Sequence, residues 1–229
     1  MKKTSLLSLS FLSAIAMLLS LSSASATVLP PSGFGPPDVF AGIPGGTLLA
    51  SFDSGTVTST NGKITFDMVT AVYRDGVTGD LDFVYQVMNS ATSVDGMTRL
   101  TAIDFTGFVT DVGVTPNGAT LPGGLFVNGN SLLPQTVDRS ISGDTIGFNY
   151  PIPFNILPGE TSLAMIIETN ATQFKAGSFN IIDGGVSTVN AFEPTRLAVP
   201  ESGSTAILLS LSMVGLLVGY TALARRAVA

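Results

Sequence analysis

The sequence predicts an all-β protein: one antiparallel β-sandwich domain, flanked by an N-terminal signal helix and a C-terminal transmembrane helix. Three observations carry that prediction. Apolar and polar residues alternate with a period of two through much of the chain. Gly, Asn, Asp and Pro punctuate the alternation at short intervals. Between the two apolar termini, no stretch keeps a helical period over three turns.

The chain opens with MKKTSLLSLSFLSAIAMLLSLSSASA, residues 1–26. Lys2 and Lys3 are followed by a Leu-rich run, and Ala24-Ser25-Ala26 supplies the small residues of a cleavage site. This is the layout of a secretory signal peptide rather than an uncleaved membrane helix. The mature protein is expected to begin near Thr27. Residues 27–44, TVLPPSGFGPPDVFAGIP, are rich in Pro and Gly and predict an extended lead-in rather than a regular element.

The sandwich domain is expected over residues 45–197. In KITFDMVTAVY (63–73), Ile64, Phe66, Met68 and Val72 share one face, and Thr65, Asp67 and Ala71 the other. Asn61-Gly62 precedes this run and predicts a hairpin from GTVTST (55–60). In LDFVYQVMN (81–89), Leu81, Phe83, Tyr85 and Val87 oppose Asp82, Val84, Gln86 and Met88, with a loop at Asp75-Gly76 and Gly79 before it. Further strands are expected in 98–114, 124–129, 144–150, 161–169 and 174–182. Residues 91–97 predict a loop, and Asn117-Gly118, Pro158-Gly159 and Asp183-Gly184-Gly185 predict turns. No internal repeat is present.

Charge narrows the function classes. Lys2, Lys3, Arg225 and Arg226 lie in the terminal segments, and all 16 acidic residues lie between Asp38 and Glu201. Six cations therefore face 16 anions over residues 27–201, a net −10 against −6 for the whole chain. So acidic a body is a poor nucleic-acid binder, because such binding needs clustered Lys and Arg. The chain contains no Cys and no His. Ser-His-Asp and Cys-His catalysis and His- or Cys-ligated metals are excluded. No disulfide supports the exported fold, and no cofactor is expected. GFGPP (33–37) lacks the strand and helix that frame a phosphate loop.

Carboxylates remain. Asp80 and Asp82, two apart, would share a strand face about 6.5–7 Å apart, and with Asp75 they are candidates for Ca²⁺ or a sugar. The plainer expectation makes Asp80 a turn residue and Asp82 the solvent side of a hairpin. DGVTGDLD (75–82) does not follow the EF-hand order. Glu160 and Glu168 predict only solvation. Tyr73 and Tyr85 are expected in the core rather than as sugar platforms. Asn170-Ala171-Thr172 fits an ordinary turn or strand end.

The most specific signal is the tail. Residues 206–224 are 19 uncharged positions, close to the ~20 that span a bilayer. Arg225 and Arg226 follow and would hold the C-terminus on the cytoplasmic side. Val199-Pro200-Glu201-Ser202-Gly203 stands just before, where Pro disfavours helix at the residue preceding it. A permanent anchor is the simple alternative. The Arg pair argues against a GPI signal, and LPPSG (29–33) stands at the wrong end for a cell-wall sorting motif.

Together these three parts, over residues 198–229, resemble the PEP-CTERM sorting signals of Gram-negative bacteria. Ser202-Gly203 resembles the Val-Pro-Asp-Ser-Gly variant class, with Glu201 for Asp. NIIDGG (180–185) and ETNAT (168–172) are similar to stretches in β-rich domains of other tail-bearing proteins. The resemblance implies export by Sec-type machinery, cleavage by signal peptidase, and a transient stop at the inner membrane. It further implies cutting near Pro200-Glu201 by an exosortase-like membrane transpeptidase, then delivery to the cell surface or extracellular matrix. The expectation is a non-enzymatic surface or matrix protein, possible partners including extracellular polysaccharide. The alternatives are a carbohydrate- or Ca²⁺-binding domain using Asp75, Asp80 and Asp82, and a permanently anchored surface protein.

Overall fold

Alternation of side chains builds two facing sheets. The structure, a computed structural model, describes residues 27–43 and 45–196. The signal segment with Ala24 and Ala26, the 199–203 motif, the 206–224 span and Arg225-Arg226 lie outside the described residues. Among the described residues, no helix is long and apolar enough to cross a membrane.

The strands are β1 (Phe34–Gly35), β2 (Asp38–Val39), β3 (Thr47–Asp53), β4 (Val57–Thr58), β5 (Thr65–Arg74), β6 (Leu81–Asn89) and β7 (Arg99–Ala102). They continue with β8 (Thr110–Thr115), β9 (Thr136–Arg139), β10 (Ile146–Asn149), β11 (Ala164–Thr169), β12 (Gln173–Ile182) and β13 (Val186–Thr195). One sheet has the order β2-β8-β11-β6-β5-β3, with β4 also paired to β5; the other is β1-β9-β10-β7-β12-β13. Every pairing is antiparallel except β2 with β8, which is parallel. The fold is therefore sandwich-like and all-β, with one mixed sheet.

The expected faces of β5 and β6 hold. Phe66, Met68, Val72, Leu81, Phe83, Tyr85 and Val87 all enter the core between the sheets. Leu100, Phe148, Phe179 and Ile181 meet them from the second sheet. Fully burying one such side chain contributes about 1.5–3 kcal/mol. Tyr85 stacks on Phe179 at 4.8 Å between centroids and donates its hydroxyl to the Phe192 carbonyl at 2.8 Å. Tyr73 is also buried and donates to the Pro122 carbonyl. Both tyrosines are core residues, as expected.

Four expectations need correction. The 27–44 lead-in is not merely extended: β1 joins β9 in one sheet and β2 joins β8 in the other, so it clips the sheets together along one side. The 98–114 run is two strands, β7 and β8, parted where Asp104 and Gly107 adopt positive φ of 67° and 80°. Residues 124–129 form no strand. Their apolar side chains instead cover the outer face of the first sheet, where Leu121 and Phe126 pack with Ile43, Tyr73, Val84 and Ile166. The Gln86 side chain bolts this cover down by donating to the Val127 and Ser162 carbonyls and accepting from Val127 N–H. Finally, β3, β9 and β13 were not anticipated. β13 buries Ser187, Val189, Ala191 and Glu193 on one face, a small and polar set that gives little hydrophobic signal.

Candidate functional site

The outer face of the first sheet carries a row of carboxylates. Asp82 on β6 pairs in register with Glu168 on β11, and Glu168 pairs with Asp111 on β8. Residues directly opposite on neighbouring strands share a face, about 4.5–5.5 Å apart at Cβ. Tyr73 on β5 precedes Asp82 in the row. Asp38 on β2, which lies beside β8, extends it, near enough for its charge to act on the Asp111 carboxyl. The row lies one step along the strands from the cover that includes Val84 and Ile166.

These acids are short of donors. Asp82 is 3% exposed and Asp111 5%. Asp82 Oδ2 and both Asp111 carboxylate oxygens have no hydrogen-bond partner among the described residues. Burial pushes the Asp82 carboxyl up to about 8, helped by the charges of Glu168, Asp75 and Asp80. Burial likewise pushes Asp111 up to about 7, followed by the charge of Asp38 beside it. Glu168 is raised by burial, then by Asp75 and Asp38. None of the ion pairs among the described residues includes Asp38, Asp82, Asp111 or Glu168.

Asp82 is thus not the solvent side of a hairpin: it is buried, between Tyr73 on β5 and Glu168 on β11. Glu168 is half-buried and part of the row, not simply solvated. Asp80 lies in the loop before β6, where its carbonyl accepts Asp75 N–H at 2.9 Å. Asp75 Oδ1 accepts from Val77 N–H, Thr78 N–H and the Thr78 hydroxyl, so it shapes its own turn. Asp75, Asp80 and Asp82 therefore lie near one another. Among the described residues, no three acidic side chains converge as a metal site. Asp111, Glu168 and Asp38 were missed by sequence reasoning. They are far apart in the chain, and only the strand order brings them into one row.

At the other end of the same face, a groove of about 360 Å³ lies between Asp53, Asp67, Gln86, Met88, Leu125 and Thr161. Its lining includes no aromatic ring, which disfavours sugar stacking. Asn170 holds the β11–β12 turn by accepting Val109 N–H at 2.9 Å.

The opposite sheet buries a cation differently. Arg139, 3% exposed, donates to the carbonyls of Leu29, Phe105, Phe108 and Gly143 and to the Thr110 hydroxyl. It thereby ties β9, β8, the 103–109 loop and the N-terminal clip at one point.

The acidic row, the groove and the Arg139 lock describe the body's polar chemistry. Comparison of the chain with protein-family models, curated proteins and solved structures finds no match.

Proposed function

We propose that this chain is a non-enzymatic exported protein of the cell surface or extracellular matrix, delivered there by its C-terminal sorting signal. The observation that carries this reading is the order of three parts: Val199-Pro200-Glu201-Ser202-Gly203, the uncharged 206–224 span, and Arg225-Arg226. Sec-type machinery exports the chain and signal peptidase removes residues 1–26. The apolar span stops the body at the outer face of the inner membrane, and an exosortase-like transpeptidase cuts near Pro200-Glu201.

The shape of the body supports that order of events. β13 ends at Thr195, and Arg196 closes the fold by donating to the Gly107 carbonyl and lying 5.4 Å from the Phe108 ring centre. Val199 is three positions further on, so the motif follows a completed domain. Replacing Pro200 and Glu201 with Ala tests the reading by cell fractionation. The native body should leave the membrane fraction, and the variant should accumulate there at full length. Equal release of both proteins, or equal retention as in a permanently anchored protein, contradicts the sorting role.

A second reading, a domain binding Ca²⁺ or extracellular polysaccharide through Asp75, Asp80 and Asp82, draws on the donor-less Asp82 Oδ2. Calorimetry with Ca²⁺ and with the host polysaccharide decides it. Binding that disappears in the Asp80→Asn/Asp82→Asn variant supports this reading; no heat in either protein removes it.

A further inference from the structure

The carboxylate row ends at the point where the expected mature chain begins. Thr27 N–H donates to Asp38 Oδ2 at 3.0 Å. Val28 pairs with Asp111 as an isolated antiparallel bridge, and Leu29 N–H donates to the Thr110 carbonyl at 2.8 Å. This clip fixes the Thr27 nitrogen beside the Asp38–Asp111 pair. That pair brings two carboxyls together, and both oxygens of the 5%-exposed Asp111 lack any donor. What the site lacks is a cation, and the backbone atom already seated there is a nitrogen.

We infer that signal-peptide removal converts the Thr27 nitrogen into an α-ammonium that ion-pairs with Asp38 and offsets part of the charge of the Asp38–Asp111 pair, so that the new N-terminus is itself a ligand that tightens the fold. The inference rests on the export reading above, and specifically on cleavage between Ala26 and Thr27. Hydrolysis of that peptide bond adds water: Ala26 keeps a carboxylate and Thr27 gains the protonated amine. Before cleavage the Thr27 nitrogen is a neutral amide with one hydrogen to give. After it, the same atom carries three hydrogens and a charge, and a charge-assisted bond is roughly twice as strong as a neutral one. Thr27 itself is exposed. The precursor is thereby less tightly closed than the mature protein, which suits a chain that must cross a membrane unfolded.

The sign of the pH dependence follows. An α-amine ordinarily titrates near 7.7–8.0. Two carboxylates raise that value in the folded state, with Glu168 adding to the same field from β11. The ammonium's contribution is full below its unfolded pKa and is lost as pH rises through the raised one. It also weakens toward acid pH, where the Asp111 carboxyl takes up a proton.

The test compares two full-length chains expressed for export: the native one, and one with Gly-Ser inserted between Ala26 and Thr27. The insertion moves the ammonium upstream by about 7 Å of extended chain and leaves a neutral amide at Thr27. Intact mass fixes where each mature chain starts, and thermal unfolding is followed from pH 4 to pH 10. At pH 6.5 the inserted chain should melt lower by about 2–4 °C. The gap should close near pH 4, close again near pH 10, and vanish when both chains carry Asp38→Asn. Equal midpoints at every pH, or a gap that survives Asp38→Asn, overturn the inference and leave export standing. A native mature chain starting elsewhere than Thr27 overturns the inference alone; one that retains residues 1–26 overturns both.

Discussion

Arg139 and Asp111 are buried to nearly the same degree and stand almost back to back. Thr110 turns its hydroxyl to Arg139 on the inner side of the sheet. Asp111, the next residue, points to the outer side, as alternation requires. Arg139 receives no carboxylate, yet its guanidinium meets four backbone carbonyls of loops and the N-terminal clip, and the Thr110 hydroxyl. Asp111 meets no donor, because the strand N–H groups around it are spent on the ladders with β11 and the clip. A buried charge bonded on all sides is part of the scaffold. A buried charge with no donor either holds a proton or awaits a cation. The fold thus separates a finished polar site from an unfinished one by the thickness of one strand.

Removing the finished site should have the largest effect. Arg139→Met removes five hydrogen bonds, leaves the Phe108 and Gly143 carbonyls without a donor, and unties β8, β9, the 103–109 loop and the clip. The expected loss is about 3–5 kcal/mol from the orphaned carbonyls and lost charge-assisted bonds, or a melting point lower by roughly 10 °C for a domain of this size. Circular dichroism against temperature measures it, and a fall of under 2 °C would show that the lock is dispensable.

The unfinished site should behave in the opposite sense. Asp82 titrates at about 8 when folded, against an ordinary value of 3.8. Its contribution is full below about pH 4 and is lost as pH rises through about 8. The slope reaches about 1.4 kcal/mol per pH unit at its steepest. Asp82→Asn should flatten that slope and make the protein more stable than native at pH 9. Urea midpoints at pH 5, 7 and 9 report it; a native protein equally stable at all three contradicts the burial of this carboxyl.

Between these extremes, Gln86→Ala cuts three hydrogen bonds, two of which fasten Val127 over the outer face and one of which goes to the Ser162 carbonyl. About 1–3 kcal/mol should be lost, with amide exchange speeding first at Val127. The smallest change belongs to the exposed Lys63–Asp95 pair, 3.8 Å apart. Lys63→Ala should shift stability by no more than about 0.5 kcal/mol, and a larger shift would mean that surface pairs matter here as much as buried ones.

The contrast also explains what could be read from the sequence. β5 and β6 were legible because large apolar residues at alternate positions leave one consistent pattern. β13 was not, because its inward side chains are Ser187, Val189, Ala191 and Glu193. The lead-in looked irregular because its proline and glycine spacing hides two strands of two residues each. Asp82 was visible as a residue but not as a buried one, since its place between Tyr73 and Glu168 depends on pairing with β5 and with a strand more than 80 positions later. The row that joins Asp82, Glu168 and Asp111 depends on β11 lying between β6 and β8, a fact of topology that no local spacing encodes.

The central claim concerns the two ends rather than the middle, and the intact mass of the mature protein tests it most directly. The proposal predicts a chain that starts at Thr27 and ends near Pro200, with or without the added mass of an acceptor. A mass that includes residues 202–229 would contradict it.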